Sequence, residues 1–526
     1  MGKLNNIIES SIAGLVDAAE MQKRQGWANE VLPSAGNDQP LKSGFGSFVF
    51  GQKENWKLLK IAVIGSIVQL IFFKLLYPFP DFISDSYSYI ATNLYHMDVN
   101  LWPIGYSKYL SFIHSITPSD TFLVATQYIL LQASLVYFFY TIIYHYDLSK
   151  KYTNILFVLL VFNPLMPYLA NCVLSDALFC AMSVMLFSSY IWMLHKPEKK
   201  HIYVQALLIG VAFTFRYAAI CYPMISIVVY LLSRQKLSLK MIGVAAPWFL
   251  IVPFILYTQQ KTKEVTGTAE FSVFGGWQLA NNALYMYDHI TVDSNKLPPR
   301  TRELDRMARQ FYKMVPPEKR EFEPFPGTYF IKVPFAVLKP YMTKRYDASD
   351  APSQFYAWGK VSPIYKEYGS YLIKHNPVEF AQYYLWLNAK NYFIPHLEKY
   401  GSYNMGMDSV WDNAKEWFNY PTNEITYTSA SLQEHVFYFV PVIFMMLNLY
   451  FAGSFFYLLL SKRLKKINAP LRNALVLTTV TLFINFCFST FATPVVLRYE
   501  IFAIILLVTF SLYLTQILDK TESADQ

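Results

Sequence analysis

Ten apolar runs, each near the length that crosses a bilayer, constrain what this chain can fold into. They cover about residues 59–77, 121–144, 155–170, 172–194, 202–215, 218–233, 241–257, 435–460, 474–492 and 499–518. A transmembrane helix needs about 20 mostly apolar residues. Only 15% of the 526 residues are charged, against about 25% in soluble proteins. A soluble enzyme, a disordered chain and a fibrous repeat are therefore excluded, and an all-α polytopic membrane protein with about ten transmembrane helices is predicted.

Two of these runs leave an alternative open. The pair 202–215 and 218–233 is short for two full crossings, so a tilted or re-entrant hairpin is the other interpretation. The four cysteines lie in or beside apolar runs, at Cys172, Cys180, Cys221 and Cys487. None has the CxxC spacing of a metal site, so we interpret them as small apolar side chains of the helix bundle.

The basic residues of the short loops predict the orientation. With the first helix running outward, the inside loops carry 13 basic residues: Lys150, Lys151, Lys196, Lys199, Lys200, Arg234, Lys236, Lys240, Lys462, Arg463, Lys465, Lys466 and Arg472. The short outside connections carry only Arg216 and Arg498. This asymmetry follows the positive-inside rule and places both termini in the cytoplasm. We expect an integral multi-pass protein of the bacterial inner (cell) membrane.

The chain divides into four parts on this reasoning. Residues 1–57 form a cytoplasmic segment, in which five apolar positions between residues 7 and 19 share one helical face and predict a helix on the membrane surface. Residues 58–257 form a transmembrane core that includes a first outer loop, 78–120. Residues 258–432 are long enough for an extracytoplasmic loop domain, with residues 368–393 helical around a break at Pro377. Residues 433–526 hold the C-terminal transmembrane helices and a cytoplasmic tail.

Four ionisable residues stand at the outer ends of predicted spans, where charge is costly and usually functional. Asp85 follows the first span, and Asp176 lies between the third and fourth. Arg216 lies between the fifth and sixth, and Arg498 between the last two. All four face the outer side on the predicted topology. Together they indicate a site that could hold an anionic lipid headgroup.

Each of these residues also has a structural interpretation. A carboxylate at the membrane edge can act as a general base, but Ser84, Asp85 and Asp176 also suit helix N-caps. Asp176 could instead bind a metal or orient an acceptor. A guanidinium suits phosphate or pyrophosphate. For Arg498 the alternatives are an ion pair with Glu500 and an anchoring position at the interface.

Five short motifs occur in order along about residues 59–518. They are Asp85-Ser86-Tyr87-Ser88-Tyr89-Ile90-Ala91 followed by Trp102-Pro103-Ile104-Gly105-Tyr106, then Leu174-Ser175-Asp176-Ala177-Leu178-Phe179, Phe213-Thr214-Phe215-Arg216-Tyr217, Ile373-Lys374-His375-Asn376-Pro377 and Pro494-Val495-Val496-Leu497-Arg498-Tyr499. This order resembles the GT-C superfamily of integral membrane glycosyltransferases, which includes the protein mannosyltransferases and the aminoarabinose transferases. The chain departs from the family at Trp102, where many bacterial members carry a lysine and where this chain has only the later Lys108. It departs again at Ser86, which follows Asp85 in place of a second acidic residue.

The resemblance implies a GT-C-like fold and a reaction. The donor would be a polyprenyl-phosphate-linked sugar, and the acceptor a hydroxyl or amide of a glycan, lipid or protein. Asp85 would be the catalytic base and Arg498 would contact the lipid phosphate. The other substrate-binding residues would be Asp176, Arg216, Tyr499, Lys108 and Trp102. The expected reaction is an inverting single displacement on the extracytoplasmic side.

The expected cofactors and partners follow from the same comparison. No nucleotide or Gly-rich phosphate loop is needed, since a lipid phosphate is a good leaving group. Because the chain departs from the family at Trp102 and Ser86, a requirement for a divalent ion (Mg or Mn) stays an open alternative. Membrane lipids are expected partners and nucleic acid is not. A polyprenyl-linked polysaccharide polymerase or ligase is one rival, for which His375, His396 and Lys344-Arg345 are the candidate residues. A lipid or solute transporter and a structural receptor are the others, although nearly charge-free mid-spans disfavour transport.

Overall fold

The computed structural model describes residues 44–525 except 317–319, 321–326, 430 and 493, with side chains described as far as residue 520. The surface helix predicted between residues 7 and 19 lies outside the described residues. Residues 1–52 and 53–526 form two separate units. In the first, residues Ser47–Gly51 form one π-helical turn.

The fold of the second unit is helical, and in its described residues pairing between extended segments is limited to isolated bridges. In the first half of the chain the α-helices are α1 (Lys53–Leu76), α2 (Ser84–Leu94), α3 (Gly105–Ile116), α4 (Asp120–His145), α5 (Lys150–Val161), α6 (Leu165–Asn171), α7 (Asp176–His195), α8 (Lys199–Phe215), α9 (Tyr222–Leu232), α10 (Leu237–Ala245) and α11 (Trp248–Thr266).

The second half contributes α12 (Phe274–Leu284), α13 (Arg302–Met314), α14 (Tyr329–Lys332), α15 (Leu338–Thr343), α16 (Ala351–His375), α17 (Pro377–Phe380), α18 (Trp386–Phe393), α19 (Asp412–Phe418), α20 (Leu432–Phe437), α21 (Val440–Leu460), α22 (Ala469–Phe491) and α23 (Ile501–Asp525). Short 3₁₀ helices lie at Tyr217–Cys221, Tyr287–His289, Pro299–Thr301, Glu398–Tyr400, Tyr403–Gly406, Arg463–Lys466 and Leu497–Tyr499, and a π-helical turn at Ala381–Leu385.

Eight helical segments within the described residues are long and apolar enough to cross a membrane. They are Lys53–Leu76, Asp120–His145, Lys150–Asn171, Asp176–His195, Leu237–Thr266, Leu432–Leu460, Ala469–Phe491 and Ile501–Lys520. The chain is thus an all-α protein of multi-pass membrane type. On α1, large apolar side chains such as Ile64, Ile71 and Leu75 are exposed. Such exposure is expected of a helix face that contacts lipid rather than water.

The two short runs of the sequence form α8 and α9, and α8 packs against α7 over its whole length. At one end of α7, Arg216 pairs with Asp176. At the other end, the rings of His201 and Trp192 stack with their centroids 6.2 Å apart. Helix α8 therefore runs the full length of α7 and returns the chain to the end of the bundle where Asp176 lies.

The long segment between α11 and α20 has its own hydrophobic core. Helix α11 extends to Thr266, beyond the expected end of that span near residue 257, and stops at Gly267 in a left-handed conformation (φ +74°). Helices α12 and α16 approach so closely that a Cβ on Gly276 would collide with the backbone oxygen of Ser362. The break predicted at Pro377 is confirmed, because α16 ends at His375 and a new helix starts at Pro377.

Candidate functional site

Asp85 lies at the start of α2, directly after the first membrane helix. The N-cap residue is Ile83, and the backbone N–H of Ile83 donates to the hydroxyl of Ser86 over 3.0 Å. Asp85 instead turns one oxygen toward Arg498, with Oδ2 3.4 Å from Nη2, and its side chain is 14% exposed. The interpretation of Ser84 or Asp85 as a helix cap is therefore wrong, since the helix begins after Ile83 and both residues already lie in its first turn.

Asp176 opens α7 and is shared by two arginines. Its Oδ1 pairs with Arg216, and its Oδ2 lies 2.7 Å from Nη1 of Arg498. The side chain is only 3% exposed. Asp176 makes no capping hydrogen bond, and Ser175 precedes the helix without one. The cap interpretation is wrong here too, because both oxygens are directed at guanidinium groups.

Arg498 is the centre of the cluster, and each of its three nitrogens pairs with a different carboxylate. Nη2 faces Asp85, Nη1 faces Asp176 and Nε pairs with Glu398. The predicted alternative partner, Glu500, is wrong. Its carboxylate accepts from the amide of Asn485 (2.7 Å) and from the hydroxyl of Ser489 (3.0 Å). With 4% of its side chain exposed, Arg498 is buried and satisfied rather than an interfacial anchor.

Glu398 is the member of the cluster that sequence reasoning missed. It lies in the segment between α18 and α19, 100 residues before Arg498, next to Lys399 in what reads as an ordinary surface pair. Its backbone is left-handed, with φ +48°, a conformation that costs free energy for a residue with a Cβ. Three carboxylates and two guanidiniums then give the cluster, defined as Asp85, Asp176, Arg216, Glu398 and Arg498, one net negative charge.

Tyr499 lies beside both arginines. The guanidinium carbon of Arg216 is 4.0 Å from the ring centroid, and that of Arg498 is 4.3 Å from it. The electron-rich face of an aromatic ring attracts a cation at this range. Tyr499 therefore fixes the position of Arg216, whose side chain is the more exposed of the two at 19%.

A cavity of about 220 Å³ opens beside the cluster. Its polar wall includes Asp85, Asp176, Arg216, Arg498 and Tyr499, and Trp102 lies on its aromatic wall. Further aromatic residues complete that wall: Tyr89, Phe179, Phe215, Tyr217, Tyr222, Phe274, Phe488 and Phe502. Six of the seven residues predicted as a site thus line one cavity. Lys108 is the exception: it is exposed on α3 and does not line the cavity, because the turn of the helix places it on another face.

Asp81 forms a second buried acidic position close to the cluster, and the sequence analysis did not single it out. One of its oxygens accepts from the backbone N–H of Asn404 over 2.9 Å. Burial raises the pKa of Asp81 to about 6, and the positive charge of Lys399 opposes part of that rise. Lys399 is itself buried and donates to the backbone oxygen of Tyr168. Asp81 does not line the cavity, so its position is structural.

The donor set does not fit a resident divalent ion. In the part of the chain that the structure describes, no group of three or more His, Cys, Asp or Glu side chains could hold a metal. The carboxylates that might ligate Mg or Mn, at Asp85 and Asp176, are directed at arginines instead. The cysteines form no disulfide; Cys172 and Cys180 are buried as expected, but Cys487 is exposed on α22, because it lies on an outward face of that helix.

The residues proposed for a polymerase lie elsewhere. Lys344 and Arg345 both pair with Glu303 in the long segment, the former over 3.5 Å. His375 is exposed at the end of α16, where its Nδ1 lies 2.8 Å from the backbone oxygen of Tyr371. Neither of these groups lines the cavity, nor does His396.

Comparison with known proteins adds no relative. No protein-family model, curated protein or solved structure matches this chain.

Proposed function

We propose that this chain is a membrane glycosyltransferase of the GT-C type. It would transfer a sugar from a polyprenyl-phosphate-linked donor to an acceptor hydroxyl or amide. The observation that carries the proposal is that Asp85 and Arg216, partly exposed groups of opposite charge, share one wall of a cavity with aromatic sides. A donor of this class needs both surfaces, a polar one for sugar and phosphate and an apolar one for the first prenyl units.

The chemistry assigned to Asp85 is general-base catalysis. Asp85 takes the proton from the acceptor, whose oxygen or nitrogen attacks the anomeric carbon as the bond from that carbon to the phosphate oxygen breaks. The electron pair leaves with the polyprenyl phosphate, whose charge changes from −1 to −2. Attack opposite the leaving group inverts the anomeric centre. A fixed positive charge near the phosphate stabilises this transition state more than the ground state.

Arg216 is better suited than Arg498 to supply that charge. All three nitrogens of Arg498 already face carboxylates, whereas Arg216 pairs with one carboxylate among the described residues, Asp176, and is the more exposed. We therefore assign the direct phosphate contact to Arg216. Arg498 holds Asp85 and Asp176 in position through its ion pairs with both. The family resemblance, by contrast, implies that Arg498 makes the direct contact with the lipid phosphate.

The proposed topology has ten crossings, made by the eight long segments together with α8 and α9. Helix α8 has 17 residues, or about 25 Å at 1.5 Å per residue, which a locally thinned bilayer accommodates. Crossing by α8 keeps Arg216 on the same side as Asp176, with which it pairs. The asymmetry of loop charge then supports an extracytoplasmic site and cytoplasmic termini in a bacterial inner membrane.

The arrangement of charge disfavours the rival functions. In the described transmembrane helices the Asp, Glu, Lys and Arg residues lie near the ends, whereas transporters place ionisable groups at mid-membrane. A polymerase is disfavoured because Lys344, Arg345 and His375 lie away from the cavity wall. The glycosyltransferase uses the residues that do meet there.

The decisive experiment supplies purified protein in lipid nanodiscs with radiolabelled polyprenyl-phosphate sugars and extracted envelope acceptors. We expect release of polyprenyl phosphate that depends on the acceptor and on Asp85. If none of a panel of hexose, pentose and aminosugar donors is consumed by folded protein, the glycosyltransferase assignment is wrong.

A further inference from the structure

The segment 396–405, which we call the strap, is a part of the long segment that contacts the end of the membrane bundle. Its contacts reach three separate parts of the chain. The carbonyl of His396 accepts from the backbone N–H of Leu497. Lys399 and the hydroxyl of Tyr400 donate to backbone oxygens of α6, those of Tyr168 and Leu165. In the loop after α1, the backbone oxygen of Phe79 accepts from the hydroxyl of Tyr403, and Asp81 accepts from the backbone N–H of Asn404. The strap is therefore held in place independently of the contact between Glu398 and Arg498.

The backbone of the strap is bent so as to present Glu398. Within it, Glu398, Asn404 and Met405 all have positive φ angles, of 48°, 47° and 54°. Glycine would adopt these conformations more readily, and strained positions of this kind collect at functional sites when their surroundings hold them in place. The left-handed backbone at Glu398 brings its carboxylate to the Nε edge of Arg498.

Glu398 is placed differently from the other two carboxylates of the cluster. Asp85 and Asp176 line the cavity, and Glu398 does not. It approaches Arg498 from the strap, and its side chain is 27% exposed. It thus neutralises the arginine without occupying space in which a ligand would lie. The charge balance shows its effect, since without Glu398 the cluster would be neutral instead of carrying one negative charge.

We propose that Glu398 is a positioning residue that sets how tightly the cavity binds a phosphate-bearing lipid. It fixes the plane of the Arg498 guanidinium, and its negative charge weakens the attraction of the two arginines for an anion. The inference rests on the function proposed above and adds to it a control on affinity. A site that turns over must release a doubly charged product, and an additional fixed carboxylate favours that release.

The test compares binding of polyprenyl phosphate with that of the uncharged polyprenol, for wild type and Glu398→Gln in nanodiscs. Glutamine keeps an oxygen for Nε but removes the charge. We expect polyprenyl phosphate to bind about twofold to fivefold more tightly to the variant, the range for loss of one partly exposed ion pair. Polyprenol binding should not change. Glu434→Gln, at an exposed residue of α20, is the matched control and should behave as wild type.

The outcomes separate the two proposals. Weaker or unchanged binding of polyprenyl phosphate by folded Glu398→Gln overturns the inference and leaves the glycosyltransferase assignment standing. Absence of polyprenyl phosphate binding by wild type overturns both. If Glu398→Gln folds poorly, Glu398→Asn removes the same charge with a residue that favours left-handed backbone, and the same comparison decides. A purely structural role predicts loss of stability with no gain of affinity for the phosphate.

Discussion

Replacing the two aspartates of the cluster with asparagine should produce opposite effects on stability and turnover. Asp85 makes long contacts, 3.4 Å to Arg498 and 3.4 Å to the hydroxyl of Ser84, and is partly exposed. Such contacts contribute at most about 1 kcal/mol. Asp176 is buried and faces two guanidiniums, and breaking a buried pair costs about 3–5 kcal/mol. Asp176→Asn should therefore unfold at clearly lower temperature than wild type, and Asp85→Asn should not.

For turnover the order of the two variants should be reversed, with the larger loss in Asp85→Asn. An amide cannot accept the acceptor's proton, so Asp85→Asn should lower turnover by about two to four orders of magnitude, as expected for the loss of a general base. This corresponds to an increase of about 3–5 kcal/mol in the activation free energy. Asp176→Asn retains the base, and its folded fraction should lose much less activity.

The assay measures thermal unfolding by intrinsic fluorescence and donor turnover per folded molecule on the same nanodisc samples. Asp293→Asn, whose side chain is half exposed and 4.0 Å from Lys296, controls for the loss of a surface carboxylate and should change neither quantity. Near-wild-type turnover in well-folded Asp85→Asn would remove the base from the mechanism. Equal destabilisation of Asp85→Asn and Asp176→Asn would show that the contact of Asp85 with Arg498 is stronger than its length implies.

Three further predictions test other parts of the structure. Asp81 binds its proton more tightly in the folded protein, since burial raises its pKa from 3.8 to about 6. The free energy of unfolding should therefore fall as pH rises from about 4 to 6. Asp81→Asn should remove this pH dependence and stabilise the protein by about 1–3 kcal/mol above pH 6, as measured by thermal unfolding. Gly276→Ala should destabilise by about 1–3 kcal/mol through collision with the facing helix, whereas Gly275→Ala, which has open space around its Cβ position, should not, and equal unfolding temperatures would contradict the close packing. A cysteine replacing the exposed Ser349 should react with a membrane-impermeant reagent on intact cells, while one replacing Lys150 should react only after permeabilisation; the reverse pattern would invert the proposed topology.

The membrane helices were predictable because their signal is local. A run of about 20 apolar residues has few alternatives to a spanning helix, and the runs near 121–144 and 172–194 became α4 and α7 with ends shifted by a few residues. The end of α11 was not predictable in this way. Its last turns are polar, Thr258–Thr266, so hydropathy stops before the helix does.

The candidate site was predictable only in part, because its contacts span hundreds of residues. Arg498 meets Asp85 across 413 positions and Asp176 across 322. The rule that charge at a membrane edge is costly found these residues one by one, but not which pairs they form. Proximity in sequence suggested Glu500 as the partner of Arg498, and that was wrong. Glu398 and Asp81 carried no distinguishing local pattern, since only the fold reveals their burial and their backbone geometry.

The position of Arg498 after its three carboxylate partners in the sequence bears on the order in which the site forms. Asp85, Asp176 and Glu398 are all synthesised before the residue that holds them together. Asp176 can pair with Arg216 as soon as α8 has formed, whereas the contacts of Asp85 and Glu398 with Arg498 form after α22 and α23 arrive. A variant truncated before residue 498 would leave Asp85 and Glu398 without their contacts with Arg498. The site therefore forms when α22 and α23, the helices on either side of Arg498, pack against the earlier helices.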